Sequence, residues 1–359
     1  MKTSNRQQWV DTAKGVCILL VILYHIIEHF KPNTQLTQFD SFLYSIRMPL
    51  YYTIAGLFVV VHNIKGFLQK KLNRLIIPYI FFILLGDLCA YLLNILFGYD
   101  FVYYSPLYFC MFEGNHWQFI NIPIWFLLSL FETYILFIFI DIITKIFNST
   151  GMKIIVKICL SLIMGIFGFS CHRLGVDLPC FFDTSLTSMP FLIFGNIIYC
   201  HTKLFQMNIN RTWLFFISLL LIIIGLCFSM GTINFYANII KMPFFNFYFV
   251  SFSGVLGILI LSKFFGTLPI ITKIGRYSIV YLGTHNLYIQ CINEIMLSHS
   301  HFEFNNFHIV IVFIIVTLLS SLSCWIFLKT VPYLIAQKDF IYTGKIETCD
   351  QILSKRRVQ

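Results

Sequence analysis

A histidine and a glutamate stand inside the first long apolar run of the chain, where a simple membrane anchor would carry only aliphatic residues. His25 and Glu28 are three residues apart, so a helix places both side chains on one face. In that arrangement the carboxylate can orient the imidazole or stabilise its proton, and the imidazole can act as a general base. The alternative is a pair of interfacial residues near the outer lipid headgroups, where His29 is expected.

The depth of His25 favours the catalytic interpretation. In a helix that begins near Ala13, His25 lies about 18 Å along the axis, beyond the middle of an apolar slab roughly 30 Å thick. An ionisable group at that depth is costly and by default marks a functional cavity. We therefore take His25 and Glu28 as candidate catalytic residues.

Basic residues near the opposite end of the apolar segments, together with Asp11, are candidates for cofactor binding. Lys14 follows Asp11 by one helical turn, below His25 on the same helix, and either forms a surface ion pair with it or meets an anionic ligand. Lys70, Lys71 and Arg74 form a second cluster ahead of the third apolar segment. That cluster is either a topology signal in contact with lipid phosphate or a docking site for a phosphorylated cytoplasmic cofactor.

Two further polar residues lie at membrane depth near His25. Arg47 begins the second apolar segment on the outer side, where it could bind a substrate oxygen, neutralise Glu28 or extend to lipid phosphate. His285 places a second imidazole at mid-depth in a late segment, although buried histidines often just bond a neighbouring helix. Both are candidates for substrate binding.

Acidic and aromatic residues gather near the predicted outer ends of the middle segments. Glu113 lies in a predicted external loop, and Trp125 and Glu132 are seven residues apart on one face of the next segment. Acids combined with aromatic rings resemble a sugar-binding lining, although an interfacial Trp is also a common membrane anchor. We include these three residues in the candidate substrate site.

The chain that carries these residues is strongly apolar. Its 359 residues are 58% hydrophobic and 11% charged, with a mean hydropathy of +0.81, which excludes an ordinary water-soluble domain. The net charge of +10 does not indicate nucleic-acid binding, because no basic run is longer than the three residues Lys355-Arg356-Arg357. The 11 cysteines include no Cys-x-x-Cys pair and no His/Cys metal spacing, so we predict no metal site.

Hydropathy predicts an all-α, polytopic membrane protein with about ten transmembrane helices. The apolar windows are residues 13–30, 41–62, 74–97, 122–147, 154–174, 184–201, 212–229, 243–265, 272–298 and 306–330. With the N-terminus in the cytoplasm, 21 of the 25 basic residues fall on one side, as the positive-inside rule requires. The pattern predicts cytoplasmic termini, a transmembrane domain over 1–332 and a short cytoplasmic tail over 333–359.

Several short segments, taken in order, resemble acyltransferase family 3 of integral membrane acyltransferases, and within it the fucose 4-O-acetylase-like branch. They cover residues 6–330 almost throughout. The matching segments are Trp9-Val-Asp-Thr-Ala-Lys14-Gly15 followed by His25, Met48-Pro-Leu-Tyr-Tyr52 with Ala55-Gly-Leu-Phe58, Lys71-Leu-Asn-Arg74-Leu-Ile-Ile-Pro78-Tyr79, Ile124-Trp-Phe-Leu127, Pro190-Phe191 with Gly195, and Gly275-Arg-Tyr-Ser278 with Tyr281 and His285.

The resemblance implies ten membrane helices in a bacterial cytoplasmic membrane and transfer of an acyl group, typically acetyl from cytoplasmic acetyl-CoA. The implied acceptor is a carbohydrate hydroxyl of a polysaccharide or a lipid-linked oligosaccharide, so the expected partners are carbohydrate and membrane lipid, with no nucleic acid. The family histidine maps to His25, and Lys14 stands where many members have Arg. Arg47 stands where members often have an aromatic residue or His.

Two other classes of protein fit parts of the pattern. A secondary transporter or exporter could use Glu28, Asp87, Glu132 and the two membrane histidines as a proton path. The sequence shows no inverted repeat, however, and no symmetric pair of interrupted helices. A catalytically silent scaffold for glycan assembly is the third possibility.

Overall fold

The computed structural model describes residues 7–30, 38–97, 121–202, 210–297 and 306–341, which are helical almost throughout. Loops connect the helices, and one of them contains a short antiparallel hairpin that pairs β1 (Ile233–Asn234) with β2 (Ile239–Ile240). The α-helices, in chain order, are α1 (Gln8–Phe30), α2 (Gln38–Leu57), α3 (Ile64–Lys71), α4 (Ile77–Phe97), α5 (Trp125–Thr144), α6 (Thr150–Arg173), α7 (Phe182–Cys200), α8 (Arg211–Cys227), α9 (Phe244–Phe265), α10 (Pro269–Arg276), α11 (Ser278–Leu297) and α12 (Asn306–Thr330).

Each of the ten predicted windows overlaps a long helix, but fewer helices have the length and apolarity of a membrane span. Within the described ranges six do so, namely Gln8–Phe30, Ile64–Leu96, Ile122–Thr144, Thr150–Arg173, Phe244–Phe265 and Phe307–Thr330, and Arg211–Cys227 is apolar but shorter. The polar residues of helix α7 explain why this helix is not apolar enough to count as a membrane span. Its Asp183, Thr184, Ser185 and Asn196 are buried against neighbouring helices, so its polarity serves contacts inside the protein. The count of ten spans and the side of the termini stay predictions.

Two helix boundaries differ from the hydropathy windows. Helix α3 begins ten residues before the window at 74, because the side chain of Asn63 caps it by accepting from Lys65 N at 3.0 Å. A π-helical segment, Leu72–Ile76, joins α3 to α4 just before Pro78, whose ring would clash with the carbonyl of Arg74 in a regular α-helix. The last long window but one, 272–298, is broken at Tyr277 into α10 and α11.

Helix α1 lies at the centre of the bundle and packs against α2, α9, α10, α11 and α12. Its contact with α10 is very close: a Cβ atom on Gly275 would overlap the carbonyl oxygen of Asp11, and one on Gly15 would overlap that of Ile271. Only glycine fits at these two positions. Lys14 precedes Gly15 in the chain, and Arg276 follows Gly275. The crossing therefore brings Lys14 and Arg276 to the same end of the two helices.

After α12 the chain turns back onto the π-helical segment. We call Val331–Ile341 the C-terminal strap. The fully buried side chain of Asn73 accepts from the backbone N–H of Phe340 at 2.9 Å and of Ile341 at 2.7 Å, and it donates to Ile341 O at 2.8 Å. Residues 333–341 of the predicted tail thus pack on the helical domain, and residues from 342 onward lie outside the described part.

We expect Asn73→Ala to release the strap, because it leaves two backbone N–H groups and one carbonyl of the strap without their partner. Limited trypsin digestion of the purified protein should then cleave at Lys338 faster than in the wild type. Asn63→Ala, which removes a helix cap on the same stretch of chain, is the control and should leave that cleavage unchanged. Equal rates in all three proteins would contradict the anchoring role of Asn73.

Candidate active site

The side chains of His25 and Glu28 are in contact on α1, as their spacing predicts. His25 Nδ1 lies 3.1 Å from Glu28 Oε2, and the hydroxyl of Tyr24 donates to Glu28 Oε1 at 2.7 Å. Because an ionised carboxylate only accepts, His25 Nδ1 carries the proton in this contact. The other ring nitrogen, Nε2, then has a lone pair that can take a proton from a ligand.

These side chains line a cavity near the C-terminal end of α1, the end predicted to face outward, and we call it the outer cavity. It has a volume of about 700 Å³ and is also lined by Arg47, Trp125 and Asn286. Four of the residues expected at the catalytic and substrate sites, from three different helices or segments, therefore meet here. About half of the Glu28 side chain, 48%, remains exposed. The cavity therefore has an accessible acidic group beside His25.

His285 lies directly beside His25 on α11. The two ring centroids are 5.3 Å apart, and His285 Nδ1 is 2.8 Å from Tyr281 O. A carbonyl only accepts, so Nδ1 of His285 donates. Its Nε2 is fully buried with no hydrogen-bond partner among the described residues.

Four cationic side chains surround a second cavity at the other end of α1, which we call the inner cavity. Its volume is about 720 Å³, and its lining includes Lys14, Lys71, Arg74 and Arg276. The ammonium of Lys71 also lies 3.4 Å from the ring centroid of Tyr134, a cation–π contact that fixes its position. Gln337 of the C-terminal strap lines this cavity as well, and Arg74 lies 3.9 Å from Asp339 of the same strap.

A third cavity of about 870 Å³ continues from the inner cavity into the bundle; we call it the middle cavity. It shares Lys14, Lys71 and Tyr134 with the inner cavity, and the rest of its lining is mainly apolar, including Phe126 and Leu282. The inner and middle cavities therefore form one passage that changes from cationic to apolar.

A wall separates the middle cavity from the outer one, and neighbouring residues of α2 and α5 line its two sides. On α2, Tyr51 lines the middle cavity and Met48, one turn away, lines the outer one. On α5 the corresponding neighbours are Phe126 and Trp125. The rings of Tyr51 and Phe126 are 5.2 Å apart and form part of the wall. The outer and middle cavities thus follow one another along α2 and α5, and His25 lines the outer one.

Not all predicted site residues line these cavities. Asp11 is buried 4.0 Å from Lys14 and lies beside the inner cavity without lining it. Lys70 is exposed and, unlike its neighbour Lys71, does not line the inner cavity. Glu132 is buried behind Trp125, where it accepts from Ser185 Oγ at 2.7 Å, and does not line the outer cavity. Glu113 lies outside the described residues.

Several residues of the site were absent from the sequence-based candidates. Tyr24 adjoins His25 but looks like one more interfacial aromatic ring, and Gln337 belongs to a tail without periodicity. Arg276 is separated from Lys14 by more than 250 residues. Its sequence signals are its place in the matched segment Gly275-Arg-Tyr-Ser278 and the glycine before it, since Gly275 makes the close crossing with α1 possible.

One of three comparisons with known proteins found a match. The family model for the acyltransferase domain of acyltransferase family 3 matches residues 7–326, nearly the whole chain. No curated protein and no solved structure matches the chain. The matched region contains α1 with His25 and all three cavities except the part contributed by the strap. The chain therefore belongs to acyltransferase family 3 and is a membrane acyltransferase.

Proposed function

We propose that the protein transfers an acetyl group from cytoplasmic acetyl-CoA to a sugar hydroxyl of a polysaccharide or lipid-linked oligosaccharide, in a bacterial cytoplasmic membrane. The observation that carries this proposal is the series of three cavities, of which the inner and the outer lie at opposite ends of α1. A cationic entrance leads to an apolar passage, and the cavity on the other side of the wall contains a histidine held by a carboxylate.

The inner and middle cavities suit the two halves of an acyl-CoA molecule. Lys14, Lys71, Arg74 and Arg276 provide the positive charge that phosphate groups require. The apolar lining beyond them suits the pantetheine arm, which is long, thin and uncharged. His25 follows Lys14 by eleven residues, so the arm has about 16 Å to cover along α1 between the level of Lys14 and the level of His25.

The outer cavity suits the acceptor and its proton. In direct transfer, His25 Nε2 takes the proton from the acceptor hydroxyl while the hydroxyl oxygen attacks the thioester carbonyl carbon. The C–S bond then breaks, and the leaving thiolate takes the proton from His25, which gives an ester and free CoA. Glu28 holds the Nδ1 proton throughout and stabilises the transient imidazolium. Trp125 offers an aromatic face to the sugar ring.

A radiolabel experiment tests the proposal against the exporter alternative. Vesicles from cells that express the protein receive acetyl-CoA labelled in the acetyl group, and vesicles that lack the protein serve as the control. We expect base-labile label in the polysaccharide or lipid-linked sugar fraction only where the protein is present. An exporter would move its substrate unmodified, so label that stays in soluble acetyl-CoA would refute the proposal.

The contribution of Lys71 to donor binding can be measured separately. Replacing it by Gln removes one of four cations at the inner cavity, and we expect KM for acetyl-CoA to rise by about tenfold, with kcat changed much less. Lys65→Gln, which removes an exposed cation from the same helix α3, is the control. An equal rise in KM for both variants would mean that general surface charge, not the inner cavity, attracts the donor.

A further inference from the structure

Arg47 is a cationic side chain of the outer cavity whose N–H donors are left largely unfilled by the described residues. Only 6% of Arg47 is exposed, yet Nε and Nη1 have no hydrogen-bond partner among the described residues. The side chain lines the outer cavity. Its guanidinium carbon lies 3.2 Å from the ring centroid of Tyr24 and 5.3 Å from that of Tyr44. The stacked rings hold the plane in place without bonding its N–H groups.

Glu28 is near enough to attract the Arg47 charge but does not fill its N–H donors. Its Oε1 accepts from Tyr24 and its Oε2 is bonded to His25, and no described carboxylate lies within ion-pair distance of Arg47. A guanidinium that is nine-tenths buried costs free energy unless a partner compensates its charge and fills its donors. The missing partner therefore has to be an acceptor of hydrogen bonds, and an anion meets both requirements.

We propose that the acceptor of the acyl group carries an anionic oxygen group, a carboxylate or a phosphate, which binds Arg47 while a hydroxyl of the same molecule faces His25. This inference rests on the proposed function and specifies its acceptor. The planar fork of Arg binds two oxygens of such a group at once, which fixes the orientation of the molecule as well as its charge.

The anion could come from either of two sources, a uronic acid in the glycan or the phosphate of a lipid carrier. Both present the same chemistry to Arg47. A competing role for Arg47 is stabilisation of the oxyanion that develops on the thioester carbonyl during transfer. That role requires no preference for charged acceptors in the absence of a donor, so a binding measurement without acetyl-CoA separates the two.

The test uses purified full-length protein in phosphatidylcholine nanodiscs at constant ionic strength. Dissociation constants are obtained from the ligand-dependent rise in thermal stability for glucuronic acid, glucose 1-phosphate and glucose. We expect the wild type to bind at least one anionic probe about tenfold or more tightly than glucose. The probe that shows the preference identifies the source. Arg47→Gln should reduce the ratio to near one.

A second arginine provides the matched control. Arg173 contacts Met242 O at 3.0 Å and stacks on Phe169, with its guanidinium carbon 4.5 Å from that ring centroid, so its interactions are already made. Arg173→Gln should keep the wild-type ratio. Arg47→Lys keeps the charge and loses the fork, so it should show an intermediate ratio, and it replaces the Gln variant if that variant does not fold.

The proposal is overturned if the wild type does not prefer an anionic probe over glucose, or if the preference survives in Arg47→Gln. Because no acetyl-CoA is present, this result is independent of turnover. A protein that shows the Arg47-dependent preference but incorporates no label from acetyl-CoA would refute the proposed function and leave the anion site in place. A protein that acetylates glycan but shows no preference for an anionic probe would support the proposed function and refute the anion site.

Discussion

Replacing His25 with alanine is expected to lower the rate of acetyl transfer by about 10²–10⁴-fold, the usual contribution of a positioned general base. Within the described part of the chain, His25 is the histidine of this site whose Nδ1 is bonded to a carboxylate. Without it, the acceptor hydroxyl loses the imidazole nitrogen that takes its proton in the proposed mechanism. The measurement is acceptor-dependent release of the CoA thiol by protein in nanodiscs.

The control for this substitution is His62→Ala, which removes an exposed histidine between α2 and α3. It should leave the rate within about twofold of the wild type, since surface substitutions rarely disturb a fold. KM for acetyl-CoA should change little in His25→Ala, because the inner cavity, which is proposed to bind the donor, is intact. If His25→Ala retains wild-type transfer at normal protein levels, the proposed mechanism is wrong.

Gly275→Ala is expected to lower the stability of the helical domain. The added methyl would overlap the carbonyl oxygen of Asp11 and lie 2.5 Å from Gly15 N. Both atoms belong to the backbone of α1, so neither can rotate away, and α10 has to move. Overpacking of this kind costs about 1–3 kcal/mol or more. It should also separate Arg276 from Lys14 and weaken donor binding.

Gly151→Ala is the matched control, since it adds the same methyl group at the start of α6. The nearest atom there, Ser149 Oγ, would be 3.8 Å away, an ordinary contact. Alanine favours a helix over glycine by about 1 kcal/mol, so this variant should be neutral or slightly stabilised. Thermal unfolding in detergent, followed by size-exclusion chromatography, compares the two. Equal transition temperatures would show that the α1–α10 crossing is looser than described.

The part of the site that depends on local spacing could be predicted from the sequence. His25 and Glu28 share a helix, and the rule that residues three apart meet does not depend on the rest of the fold. The structure accordingly has them 3.1 Å apart. The family and the helical membrane class also followed from the sequence, because ordered motifs and hydropathy are properties of the chain itself. The catalytic roles stay predictions.

The parts that depend on where a cavity meets a helix could not be predicted. Trp125 and Glu132 lie on one face by spacing but about 10 Å apart along the helix axis. Trp125 lines the outer cavity, while Glu132 is bonded to Ser185 and does not reach that cavity. Hydropathy does not tell how far along a helix, or on which flank, a cavity meets it. Lys70 and Lys71 show the same limit, because adjacent residues on a helix point about 100° apart and only Lys71 reaches the inner cavity.

The break between α10 and α11 has an electrostatic consequence for the donor entrance. Helix α11 begins at Ser278, which lines both the inner and the middle cavities. A helix start carries a partial positive charge of about half an elementary unit from its unbonded amide groups. That charge belongs to the main chain, so no substitution of a lysine or arginine removes it. A variant stripped of every cation at the entrance would still attract anions weakly, and its remaining affinity would measure the backbone's own share.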